Sequence, residues 1–133
     1  METNNQPICP FCKPNNIRTV LSNTHACAIY DGFPISPGHC LIIPKRHIAS
    51  FFEATMEEQI ALFDLLGEMQ KILVREYNPD GFNIGINVGE AAGQTVMHLH
   101  IHLIPRYAGD QPDPRGGVRW IFPEKADYWS HRK

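Results

Sequence analysis

The chain has 133 residues and a mass of 15.1 kDa, enough for one hydrophobic core and too little for two ordinary ones. Its 12 basic and 14 acidic side chains leave a formal charge of -2 at pH 7, which removes any global electrostatic case for binding nucleic acid or an anionic membrane surface. No apolar run approaches the roughly 20 residues that span a bilayer, and METNNQPICP lacks the basic start and apolar middle of a secretory signal; the expectation is a cytoplasmic chain with no membrane partner.

In a reducing compartment four cysteines make poor disulfides. Cys9 and Cys12, in CPFC, suit metal ligation or a redox pair, whereas Cys27 and Cys40 lie in apolar runs as small buried hydrophobes. After the polar leader and this knuckle come three strands, RTVLS, HACAIYD and HCLIIPK, with the Gly/Pro-rich turn DGFPISPG before the third. From Thr55 the period changes: Met56, Ile60, Phe63, Leu66, Ile72 and Leu73 recur at helical spacing. Thr55 followed by Glu58 forms a capping-box pattern, and Asn78-Pro79 ends the helix. GFNIGINVG alternates as a half-buried strand, VGEAAGQT is a small-residue loop, and VMHLHIHLIP is the last core strand, stopped by Pro105. The order implies a single α+β domain over residues 1–133, with a mainly antiparallel sheet and one long helix on it. The knuckle occupies about residues 7–14, and an extended tail runs from about 107 to 133.

Three of the seven histidines fall on alternate positions of HLHIHLI. On a strand, His98, His100 and His102 would share one face, roughly 6.5 to 7 Å apart in succession, with Leu99, Ile101 and Leu103 turned to the core. Two bland readings are a histidine-rich core strand and a metal site on the row, although no carboxylate stands at an obvious spacing. The sharper reading is nucleophilic: with a pKa of about 6.5 an imidazole at pH 7 keeps a free lone pair and needs no separate base. A middle histidine facing GEAAGQT could attack phosphorus while loop amides, Gln94 and Thr95 hold the oxygens.

HLHIHLI matches at every position the histidine triad signature, His-φ-His-φ-His-φ-φ with φ apolar, and the chain resembles that family from CPFC to PRYAGD. The resemblance implies a half-barrel sheet, a homodimer formed through the helix and a central strand, and cleavage or transfer of nucleoside phosphates through a covalent nucleotidyl-histidine. By position His100 is the nucleophile; His102, Thr95 and Asn87 hold the phosphate with Gln94 beside them; His39 buttresses the nucleophile; and Asp31 takes ribose hydroxyls. A zinc-containing subset of the family carries an N-terminal Cys-x-x-Cys, and similarity to it implies Cys9, Cys12, His47 and His98 as the ligands of a structural zinc. A zinc-bound His98 could not also donate a proton to the leaving group. That role then falls to His102, to water, or to no protein residue where magnesium arrives with a polyphosphate.

The tail PRYAGDQPDPRGGVRW places Arg106, Arg115 and Arg119 after the triad, where Gly116-Gly117 could close over an oligophosphate. HLIPRYAGD is similar to the branch that cleaves dinucleoside polyphosphates more than to the phosphoramidate branch. The expected substrate is a purine nucleotide or dinucleoside polyphosphate, with hydrolysis as the first expectation. A phosphorylase or transferase, a phosphoramidate hydrolase, and a zinc-stabilised nucleotide-binding module with little turnover stand as alternatives.

Overall fold

ACAIY and CLIIP are almost wholly apolar, and each becomes a strand covered on both faces. In the computed structural model, which describes residues 9–12 and 18–130, the elements are β1 (Thr19–Ser22), β2 (Ala26–Tyr30), β3 (Cys40–Pro44), α1 (Met56–Tyr77), β4 (Gly81–Ile86), β5 (Ile101–Arg106) and α2 (Pro123–Ala126). The leader before Cys9, Lys13-Pro14 behind the knuckle, and His131 lie outside the described residues. The five strands form an open antiparallel sheet in the order β1-β2-β3-β5-β4, not a closed barrel.

One face of the sheet packs on α1. Ala26, Ala28, Cys40, Ile42, Ile101 and Leu103 form a core with Leu62, Leu65, Met69 and Leu73 of the helix, where truncating a leucine to alanine costs about 2–5 kcal/mol. The opposite face of β2 and β3 carries Cys27, Ile29, Leu41 and Ile43, closed over by Phe11 of the knuckle. Burial on both faces is why these strands show no alternation in sequence. Leu41 and Gly85 stand opposite His102 in the flanking strands, so His102 projects from this second face.

Thr55 caps α1 as expected: its side chain accepts from the Glu58 amide, and Glu58 returns the contact to the Thr55 amide. Asn78 closes the helix in the left-handed conformation at φ 50°. The buried stripe differs from the expected one. Ala61, Leu62, Leu65, Met69 and Leu73 face the sheet, whereas Met56, Ile60 and Phe63 are 67%, 55% and 51% exposed. The helix therefore bears two apolar stripes, and periodicity alone does not say which one meets the sheet.

Two strands are shorter than their sequence patterns. β4 ends at Ile86, before Asn87 and Val88, and β5 begins only at Ile101 because the Leu99 amide bonds to the Ile48 carbonyl rather than within the sheet. Nor does Pro105 stop β5. It pairs with Phe82 of β4, while β3 has no partner beyond Leu103, so the missing amide interrupts nothing. The Pro105 carbonyl accepts from Ser36 Oγ at 2.7 Å. Gly38, at φ 88°, lets that turn pass close to the sheet: a Cβ there would lie 3.1 to 3.3 Å from Tyr77, Pro105 and Leu73.

The tail is not an extended excursion. It makes a short 3-10 turn (Gly117–Ile121) and α2, and folds back toward β4. Among the described residues no helix is long and apolar enough to cross a membrane.

Candidate active site and metal cluster

His98 and His100 lie just ahead of β5 and His102 within it. Alternation survives the loss of strand pairing, since Leu99, Ile101 and Leu103 are 0–1% exposed on the core side. The histidines do not form one solvent-facing row: His98 is fully buried, His100 is 8% exposed and His102 is half-buried.

Hydrogen bonds to the main chain decide which nitrogen of His98, His100 and His39 carries the proton. His100 Nδ1 is 2.9 Å from the His98 carbonyl. A carbonyl only accepts, so Nδ1 holds the hydrogen and Nε2 keeps its lone pair. The His100 ring packs against Phe11 and His102, both at 5.1 Å between centroids. His98 Nε2 likewise donates to the Pro44 carbonyl at 2.8 Å, which leaves His98 Nδ1 unprotonated.

His39, just before β3, is organised in the same way. The Ile35 amide donates to His39 Nδ1 at 3.2 Å, so His39 carries its hydrogen on Nε2. That hydrogen faces His102 Nδ1 at 3.0 Å and Asp31 Oδ2 at 3.3 Å. His102 therefore accepts at Nδ1 and holds its own hydrogen on Nε2. Burial pushes the His102 pKa down to about 4, helped by His100 and His39, so the ring is neutral at pH 7. His39 is also lowered, by burial first, with Asp31 opposing. The expected contact between His39 and the nucleophile is thus indirect: His39 touches His102, and His102 touches His100.

Asp31, expected at the ribose, lies in this relay and also accepts from the Phe33 amide at 2.8 Å. It lines a cavity of about 500 Å³ together with His39, Tyr30 and Tyr77. Asn87 is half-buried and Thr95 exposed on either side of the Gly89–Gly93 loop. Gln94, expected beside the phosphate, is engaged within the loop. It is 5% exposed, its Nε2 donates to the Ala49 and Val96 carbonyls and its Oε1 accepts from the Gly89 amide, so its side chain braces the loop from within.

The knuckle meets two histidines. Ligand atoms of Cys9, Cys12, His47 and His98 all lie within 4.8 Å of one another. Cys9 Sγ is 3.3 Å and Cys12 Sγ 3.6 Å from His98 Nδ1, Cys12 Sγ is 3.1 Å from His47 Nδ1, and the two Nδ1 atoms are 3.2 Å apart. Zinc–sulfur and zinc–nitrogen bonds of about 2.3 and 2.0 Å put tetrahedral ligand atoms roughly 3.3 to 3.8 Å from one another, so this set fits zinc. The Pro44 carbonyl supplies the outer hydrogen bond that aims the His98 lone pair into the cluster. Asp31, His39 and His102 also bring ligand atoms together, but there the hydrogen bonds of the relay already connect them.

Phe11, the Ile35 amide and the Pro44 carbonyl were missing from the expected site. Phe11 was visible within CPFC; the main-chain groups left no signal, because residue type says nothing about which amide or carbonyl points at a ring.

Comparisons with known proteins identify relatives of the chain. Protein hit of Bacillus subtilis (strain 168) is 38% identical over 103 residues, covering 74% of this chain and 71% of that protein. A bis(5'-nucleosyl)-tetraphosphatase [asymmetrical] of Schizosaccharomyces pombe is 40% identical over 77 residues, covering 58% of this chain and 42% of its own length. The crystal structure of a Zn-bound histidine triad family protein from Mycobacterium smegmatis superposes with a TM-score of 0.69 at 30% identity, covering 79% of this chain and 84% of that one. Residues 13–109, which include the relay, the loop and all three histidines of HLHIH, match the HIT domain, and the chain belongs to that family.

Proposed function

We propose that the chain is a nucleotide hydrolase that passes a nucleotidyl group from a nucleoside phosphoanhydride, such as a dinucleoside polyphosphate, to His100 and then to water. The observation that carries this reading is the His100 Nδ1–H held on the His98 carbonyl, which leaves Nε2 as the nucleophilic atom. The Nε2 pair forms a bond to the innermost phosphorus; the bridging P–O bond breaks, and its electrons leave on the departing oligophosphate. Positive charge gained by the imidazole is stabilised by the same carbonyl. His102 offers its Nε2–H to a phosphoryl oxygen, with Thr95, Asn87 and the loop amides beside it. Asp31, which lines the cavity beside His39, would take ribose hydroxyls. Water then attacks phosphorus, the N–P bond breaks with its electrons returning to Nε2, and a water proton passes to solvent.

Structural zinc held by Cys9, Cys12, His47 and His98 would tie the knuckle to the catalytic segment and draw His98 out of proton transfer. Magnesium would enter only with the substrate. A homodimer through α1 and, in place of the expected central strand, the edge strand β4 is supported by the exposed Met56, Ile60 and Phe63, by half-exposed Ile84, and by the edge of β4 that pairs with no other strand among the described residues.

The test is to incubate the protein with phosphorus-labelled dinucleoside polyphosphates and nucleoside phosphoramidates, quench, and look for a labelled adduct stable to base. Wild-type protein should yield it. His100→Ala should lose the adduct and at least roughly a thousandfold in turnover while retaining nucleotide affinity. Turnover surviving in His100→Ala ends the proposal, and nucleotide binding without adduct or product favours a binding module. Products formed with and without inorganic phosphate separate hydrolase from phosphorylase.

A further inference from the structure

A second cavity, of about 790 Å³, lies on the same sheet face as His102. Its floor includes Ile104 and Arg106 of β5 and Asn83 of β4, and its roof is the tail, through Trp120, Asp127 and Trp129. Ile104 and Arg106 share the face of His102, about 7 and 14 Å farther along the strand. The turn Ile35–Pro37 lines both this cavity and the one beside Asp31 and His39, and Ile35 is the residue whose amide orients His39. The cleft therefore begins where the catalytic relay ends.

Its chemistry differs from the phosphate clamp expected of the tail arginines. Arg106 grips Asp110 through two nitrogens at 2.8 and 2.7 Å and reaches Asn83 at 2.6 Å. Arg115 pairs with Asp113 at 2.9 Å and stacks over Trp129 at 4.6 Å. Arg119 binds the Lys125 and Ala126 carbonyls. The lining thus sets Asp110, Asp113 and Asp127 against Arg106, with no surplus positive charge for an oligophosphate. Trp120 is held by its Nε1–H on the Arg115 carbonyl at 2.7 Å, while 43% of the residue stays exposed. Gly116 and Gly117 bring the roof down: a Cβ at Gly116 would lie 3.1 Å from Trp129, and one at Gly117 3.2 Å from Asn83. The roof lies beyond the HIT match, which ends at residue 109.

We propose that this cleft receives the second nucleoside of a dinucleoside polyphosphate, the one that departs with the leaving oligophosphate. The inference rests on the hydrolase reading above. An indole suits the face of a base, carboxylates accept from its exocyclic amine and from ribose hydroxyls, and the excess of carboxylates over Arg106 in the lining keeps the phosphates at the histidines.

The experiment compares kcat/KM of wild type, Trp120→Ala and Trp120→Phe on a dinucleoside polyphosphate and on a nucleoside phosphoramidate with a small amine leaving group. Trp120→Ala should lose roughly five- to a hundredfold on the dinucleotide alone, with Trp120→Phe recovering most of it. Indole fluorescence of His100→Ala titrated with the uncleaved dinucleotide should be quenched, and less so in the double variant with Trp120→Ala. Equal losses on both substrates, no loss on either, or a loss that follows a changed oligomeric mass overturns the inference. Wild-type protein that cleaves neither substrate and forms no adduct overturns the hydrolase reading itself.

Discussion

The carbonyl of His98 accepts the Nδ1–H of His100 at 2.9 Å, while the ring of His98 completes the cluster of Cys9, Cys12 and His47. One residue faces the candidate metal site through its side chain and the proposed nucleophile through its backbone. Phe11, between the two cysteines, adds a second link by packing on both rings.

Protein purified under reducing conditions should therefore contain stoichiometric zinc. Cys12→Ser and His47→Ala should lose it, lower the thermal midpoint by several degrees, and slow adduct formation on His100. Metal analysis and calorimetry check this; metal-free protein of undiminished stability would release His98 from the cluster.

On the proposed reading His39 acts by positioning His102, whose Nδ1 lies 3.0 Å from His39 Nε2. His39→Ala removes the hydrogen donated to His102 Nδ1, so His102 is free to put its own hydrogen on the wrong nitrogen. The expected loss is about ten- to a hundredfold in kcat with a smaller change in KM. A change confined to KM would place His39 at the substrate instead.

Glu58 joins two elements. It caps α1 through Thr55 and receives Arg46 Nη2 at 2.7 Å and Nε at 3.0 Å. The Arg46 hydrogen bonds hold its carboxyl at about 2, well below the ordinary carboxylate value. A lowered folded-state pKa stabilises the fold above the unfolded value, and that contribution drains away as pH falls from about 4.5 toward 2. Glu58→Gln should cost about 1–3 kcal/mol at pH 7, and the gap to wild type should close through that acid window. Urea midpoints measured across pH report it; a gap independent of pH would assign the loss to packing.

Phe63→Glu places a charge on the exposed stripe of α1, away from the core. A homodimer built on that stripe should dissociate, with the mass in solution halving and little change in secondary structure. Unchanged mass would move the interface elsewhere.

Much of this was readable beforehand, for reasons that differ by residue. Thr55, Glu58 and Asn78 act through local hydrogen bonds and backbone conformation, so they mark the helix ends without reference to the rest of the fold. Alternation in HLHIHLI predicted the burial of Leu99, Ile101 and Leu103 even though half the segment is unpaired. The buried side of α1 was not readable, since Ile60 and Phe63 are as apolar as Leu62 and Leu65 and only the position of the sheet separates them. Residue type suggests Gln94 as a phosphate donor, but it does not reveal the three hydrogen bonds that engage its side chain within the loop. The tail arginines misled similarly, because the aspartates that neutralise Arg106 and Arg115 sit only four and two residues away.

The amide of Ile35 and the carbonyls of Pro44 and His98 dictate where the imidazole hydrogens reside. Every amino acid has a carbonyl, and every one but proline an amide, so the side chains at Ile35 and Pro44 can drift over generations without altering the protonation pattern, provided the local trace is kept, whereas His98 is held by the cluster its ring completes. Lineages could in this way diversify the walls around an unchanging reactive centre.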